Sequence, residues 1–354
     1  MNRHARGGRP ESRPRVLVTV LVAVVLAVLG VGTYFAVHAI AGRPANAVTT
    51  HRPSATPTIS ATPSRTPQPD PPPVGRLGIY EVAEKAYTFT EPATRVHGPR
   101  VLRVTLQYPV LPATPAYSRP AGGTFPLVVF APGFKQCSAV YRHLLRQWAS
   151  AGYVVAAVNF PLTNCRVPKA PESDLSNEPA DMAYVIQQVL ALSGQPQGPL
   201  AGLISDTKIA VAGHSDGGNV AAAMAGASCC KDHKIRAAVV LAGNEWPWGA
   251  DRWFAGHTPP VLFVQGTADT WNKPQLSLQL YRADTTGTRY YLELLGANHF
   301  TPYQGHSAPE PIIARVTLAF LDRYVDGQQG ELAQMQRAGH VFGIAKLVTA
   351  GRLP

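Results

Sequence analysis

From about residue 80 onward, short apolar runs alternate with longer stretches in which apolar residues recur every three or four positions. That alternation predicts a mostly parallel sheet with helices on both faces. Val101–Tyr108 interleaves Val101, Arg103, Thr105 and Gln107 with Leu102, Val104, Leu106 and Tyr108, the period of two of a strand with one buried face. Tyr87–Thr90 reads as another early strand. Leu127–Phe130, Val154–Val158, Ile209–Ala212, Ala237–Leu241 and Val261–Val264 are apolar throughout, as strands buried on both faces are, and Tyr290–Glu293 reads as a later strand. Between them, Ala139–Ser150, Ala180–Leu192, Gly217–Ala225, Pro274–Tyr281 and Pro309–Tyr324 carry apolar residues at helical spacing. These elements place one folded domain at residues 76–326, followed by a C-terminal tail, 327–354, with no legible role.

The N-terminal pattern is different. Val16 to Val37 is almost unbroken Val, Leu and Ala, long enough to cross a hydrocarbon core of about 30 Å. Five arginines against one glutamate precede it, so residues 1–15 are expected on the cytoplasmic side and the remainder outside. Residues 16–41 are therefore a transmembrane anchor or a signal peptide, the latter on the small-residue patterns Ala39-Ile40-Ala41 and Ala45-Asn46-Ala47. Residues 42–75 are dominated by Pro, Thr, Ser and Ala, too poor in apolar surface to fold, and read as an extended linker. The net charge of +11 is partly concentrated in these segments. No nucleic-acid motif accompanies the remainder, which is expected to be a solvated surface on a monomer without a nucleic-acid partner.

Three stretches carry candidate chemistry. Gly213-His214-Ser215-Asp216-Gly217-Gly218 follows an apolar strand and opens a helix-forming segment. A serine presented on such a sharp strand-to-helix turn is a nucleophile, with flanking glycines allowing close approach. His214 adjoins that serine but points elsewhere in such a turn and is read as packing or support. Pro260 to Asp269 is a strand running into a small-residue loop that ends in a carboxylate, and Tyr290 to His299 a strand running into a loop that ends in a histidine. Ser215, Asp269 and His299 thus stand in the chain order of a Ser-acid-His triad, with His299 as base and Asp269 orienting it. Asp251, Asp284, His257 and His306 are the substitutes. Two backbone N–H groups are expected to stabilise an oxyanion, those of Asp216 and of Phe134 in Ala131-Pro132-Gly133-Phe134. Phe134, Trp246 and Trp248 are the candidate substrate contacts.

Pro132-Gly133-Phe134, the serine motif, Ala268-Asp269 and Glu293-Leu294-Leu295-Gly296-Ala297-Asn298-His299-Phe300 together resemble the α/β-hydrolases that include bacterial cutinases and polyester hydrolases, with dienelactone-hydrolase-like and chlorophyllase-like enzymes as wider relatives. The resemblance spans roughly residues 80–325 and implies an α/β-hydrolase fold that cleaves carboxylic esters without a cofactor or metal. In the cutinase type the residue after the serine is commonly methionine; here it is Asp216. Cys137 and Cys165 follow strands that are neighbours in this fold and are the expected disulfide, which leaves Cys229 and Cys230 free or paired otherwise. A cell-surface acyltransferase with the same triad and a non-catalytic binding protein on this scaffold are the alternatives.

Overall fold

Each central strand has two apolar faces, and each face meets a different set of helices. The computed structural model describes residues 75–93, 98–111, 120–246, 253–285 and 287–349. Chain order is β1 (Glu81–Glu91), β2 (Arg100–Val110), β3 (Phe125–Ala131), α1 (Arg142–Ser150), β4 (Val154–Asn159), α2 (Glu178–Gly194), β5 (Ile204–His214), α3 (Asp216–Gly226), β6 (Ile235–Leu241), β7 (Val261–Gly266), α4 (Pro274–Ala283), β8 (Arg289–Leu294), α5 (Glu310–Leu321), α6 (Glu331–Gly339), β9 (His340–Val341) and β10 (Ala345–Thr349). The ten-stranded sheet has the order β1-β2-β4-β3-β5-β6-β7-β8-β10-β9. Pairing is parallel from β4 through β8 and antiparallel at both ends.

Successive side chains of a strand point to opposite faces, and β3 shows the result. Leu127 and Val129 join a core with Val185 and Ile186 of α2, Val220 and Met224 of α3, and Tyr281 of α4. Val128 and Phe130 join a second core with Leu144 and Trp148 of α1, Ile313 and Phe320 of α5, and Met335 of α6. The mixed sheet covered by helices on both faces is the architecture the apolar runs predict.

Two boundaries differ from the sequence reading. β1 begins at Glu81, ahead of the short Tyr87–Thr90 run, because an antiparallel edge strand with one solvated face needs no continuous apolar segment. The segment after Asp326 belongs to the sheet: β10 pairs with β8, from Ala345 opposite Leu294 to Thr349 opposite Tyr290. It covers what would otherwise be an exposed edge, with Leu347 and Val348 buried. The proposed anchor and linker, residues 16–41 and most of 42–75, lie outside the described residues. Among the described residues no helix is long and apolar enough to cross a membrane.

Cys137 and Cys165 are bonded, tying the loop after β3 to the loop after β4. Cys229 and Cys230, expected free or paired otherwise, are bonded to each other instead. The turn leaving α3, in which the N–H groups of Cys230 and Lys231 both donate to the Ala227 carbonyl, brings the two sulfurs together.

One buried ionic cluster ties β2 to the α2 region. The Arg100 guanidinium donates to both oxygens of Asp174 at 2.9 and 2.8 Å and to both of Asp181 at 2.6 Å, all three side chains being buried. It pins β2 to the turn preceding α2. Arg100→Met leaves two carboxylates unpaired in the interior, and an urea melt is expected to show a loss of about 3 kcal/mol. An unchanged midpoint would mean the cluster contributes nothing to stability.

Candidate active site

In a parallel sheet, ligands bind beyond the carboxyl ends of the strands, where the strand order reverses. Here β4 and β5 flank β3 on opposite sides, so the reversal falls between β3 and β5. Residues 132–137 leave β3 at that crevice and Ser215 follows β5 there.

The turn at Ser215 is forced by its neighbours. The serine has φ 56° and ψ −123°, a conformation an L-residue adopts only when its surroundings impose it. Its N–H donates to the Leu241 carbonyl at 2.9 Å, and its carbonyl accepts from Asn219 N–H at 3.0 Å as α3 begins. Gly217 passes so close to β3 that a Cβ there would lie 2.0 Å from the Ala131 carbonyl oxygen.

The loops after β7 and β8 bring Asp269 and His299 to this serine. His299 Nε2 lies 2.9 Å from Ser215 Oγ, and its Nδ1 lies 2.7 Å from Asp269 Oδ2. Since a carboxylate only accepts, Nδ1 carries the proton and Nε2 is free to accept from the serine hydroxyl. Asp269 also accepts from Gln265 Nε2 at 2.9 Å and from the Trp271 and Asn272 N–H groups at 2.9 and 3.0 Å. Asp269 and His299 are both buried. The substitutes are engaged elsewhere: Asp284 accepts from Thr258 and Gly287, and His306 packs against His143. Asp251 lies outside the described residues.

The two expected oxyanion donors flank the serine. Asp216 is the first residue of α3, where the N–H groups have no partner within the helix. Phe134 follows Gly133, whose added Cβ would lie 3.0 Å from Ser215 Cβ. That loop is braced by the Lys135 N–H to Thr163 carbonyl bond at 2.7 Å and by the Cys137–Cys165 bridge. Phe134 and Trp246 are half-buried, Trp246 packing on the core; Trp248 lies outside the described residues. Among the described residues no group of three His, Cys, Asp or Glu side chains could hold a metal ion.

Two features escaped the sequence reading. Trp271 is 71% exposed, and its ring lies nearly parallel to that of His299, 6.2 Å away, with Phe300 edge-on at 5.4 Å. Its place two residues after Asp269 was the available signal.

The second is a hydrogen-bond chain through His214, which is fully buried. Its Nε2 lies 2.8 Å from the His299 carbonyl, which can only accept, so Nε2 carries the proton. Nδ1 then accepts from the Tyr141 hydroxyl at 2.8 Å, and that hydroxyl oxygen accepts from Gly133 N–H at 3.2 Å. Burial pushes the His214 pKa down to about 3, aided by neighbouring His299, so the ring stays neutral. The chain links the loop that carries Gly133 and Phe134 to the backbone of His299. His214→Phe is expected to lower kcat by about 10- to 100-fold while changing KM little, since buried partners are left unpaired. Steady-state kinetics on a chromogenic ester would check this, and an unchanged kcat would remove the chain from the account.

Comparison with known proteins fits this geometry. A family model described as PETase, PET hydrolase-like, matches residues 113–333. Cutinase 2 of Thermobifida cellulosilytica is 28% identical over 206 residues, 57% of this chain and 70% of that protein. Cutinase cut1 of Thermobifida fusca is 28% identical over 206 residues, 57% of each chain. Bis(hydroxyethyl) terephthalate hydrolase of Streptomyces coelicolor is 28% identical over 206 residues, 58% of each. The chain thus spans less than two thirds of the latter two relatives.

Proposed function

Because this chain belongs to the PET hydrolase-like family, we propose that it is an extracytoplasmic serine hydrolase that cleaves carboxylic esters through Ser215, His299 and Asp269. The observation that carries the reading is the unbroken array from Ser215 Oγ through His299 to Asp269, ending on a serine held at positive φ.

Ser215 Oγ attacks the ester carbonyl as His299 Nε2 takes its proton. The resulting oxyanion accepts from the Phe134 and Asp216 N–H groups. His299 returns the proton to the departing alcohol, leaving an acyl-enzyme on Ser215, and then takes a proton from the water that releases the acid. Asp269 keeps His299 in the required tautomer and balances the imidazolium without itself taking the proton. The extracytoplasmic placement is supported by the basic-then-apolar N-terminus and by the two disulfides, which fit an oxidising compartment.

Because the relatives are cutinases and a bis(hydroxyethyl) terephthalate hydrolase, cutin and bis(hydroxyethyl) terephthalate are the first preparative substrates to try. The direct test is turnover of p-nitrophenyl esters of increasing acyl length by the full chain and by Ser215→Ala. Turnover by the wild type alone is the expected result. No turnover by the wild type would favour a non-catalytic scaffold.

A further inference from the structure

The neighbours of Ser215 differ in chemistry. On the His299 side stand Trp271 and Phe300, an aromatic wall. Directly after the nucleophile in the chain, α3 opens with Asp216, which is half-buried. Its carboxylate accepts from Asn219 Nδ2 at 3.3 Å. Among the described residues no lysine or arginine forms a salt bridge with Asp216 or with Glu172. Glu172 is an exposed residue that opens the short helical turn Glu172–Asn177 ahead of α2.

Burial first, and then the charge of Glu172, push the Asp216 pKa up to about 6, with His299 acting the other way. The group is therefore ionised in neutral to mildly alkaline solution. Glu178, which opens α2, accepts from the Thr163 hydroxyl; burial and the nearby Asp181, Asp216 and Asp174 carboxylates push its pKa well up, with the Thr163 hydrogen bond acting the other way. An ionised carboxylate without a cationic partner among the described residues thus adjoins the N–H proposed to hold the oxyanion. For a neutral ester that charge opposes the negative charge developing on the carbonyl oxygen. A substrate that brings its own positive charge near Asp216 turns the same carboxylate into a binding group.

We propose that Asp216, reinforced by Glu172, determines specificity by selecting esters that carry a cationic group close to the scissile carbonyl, an inference that rests on Ser215 being the nucleophile.

Butyrylcholine and 3,3-dimethylbutyl butyrate differ in charge and scarcely in shape, so the ratio of their kcat/KM values isolates the electrostatic preference. The assay uses the full chain, above the range in which Asp216 takes up a proton. Wild type is expected to favour the choline ester by about tenfold or more, the preference to vanish in Asp216→Asn, and the ratio to fall by about threefold in Glu172→Gln. Asp216→Asn is also expected to turn over the neutral ester faster than wild type. Glu172 lies on the surface, so its variant keeps the test valid should Asp216→Asn fail to fold. A wild-type ratio near one, or a ratio unmoved by both variants, overturns the proposal. So does failure to cleave either ester while Ser215 still reacts with a fluorophosphonate. If Ser215 does not react with that probe, the reading beneath the proposal has failed.

Discussion

Asp269→Asn is expected to lower kcat by about four orders of magnitude while leaving the fold intact. The carboxamide is nearly isosteric with the carboxylate, and its oxygen in the Oδ1 position still accepts from the Trp271 and Asn272 N–H groups that hold the loop. What changes is the partner of His299 Nδ1. An amide NH2 in the Oδ2 position cannot accept from Nδ1–H, so the imidazole is driven to the tautomer with its proton on Nε2, facing Ser215. A base already carrying a proton there cannot take the serine's. The measurement is kcat on a p-nitrophenyl ester alongside a thermal melt. A loss of only a few fold, with an unchanged melt, would mean Asp269 does not set the tautomer.

Gly217→Ala is the largest expected structural effect. Its Cβ would meet the Ala131 carbonyl oxygen at 2.0 Å, the Ala131 carbonyl carbon at 2.5 Å and the Pro132 carbonyl oxygen at 2.5 Å. All are backbone atoms at the end of a central strand, so relief requires separating β3 from α3. That contact also sets the spacing between the two proposed oxyanion donors, since Phe134 follows Pro132 closely and Asp216 precedes Gly217. A stability loss of about 4 kcal/mol or more is expected, with activity lost in whatever fraction folds. Urea unfolding and kcat per folded molecule would measure both, and a variant within about 1 kcal/mol of wild type would show that the turn is not under this constraint.

The sequence made the central strands and the order of the proposed triad legible because both are written in local patterns. Ile209–Ala212 leading into Gly213-His214-Ser215, Val261–Val264 leading to Asp269, and Tyr290–Glu293 leading to His299 each join an apolar run to a loop residue within a few positions. What stayed hidden depends on partners distant in the chain. β10 has a weak pattern of its own and is defined by its pairing with β8. Arg100, Asp174 and Asp181 are ordinary charged residues until β2 and α2 bring them together. Trp271 resembles any other loop tryptophan, and only the fold sets it over His299. The Cys229–Cys230 bond required the backbone path of the turn that follows α3. Asp216 was visible as a departure from the cutinase type, whereas its lack of a cationic partner among the described residues was not.

The most direct test of the central claim is covalent labelling of the full chain with a fluorophosphonate, followed by mass spectrometry of its peptides. One phosphonylated serine, Ser215, is expected, with labelling strongly slowed in His299→Ala because the hydroxyl has lost its base. A chain that stays unlabelled under conditions where a known serine hydrolase reacts, or one labelled at another residue with ester turnover intact in Ser215→Ala, would contradict that claim.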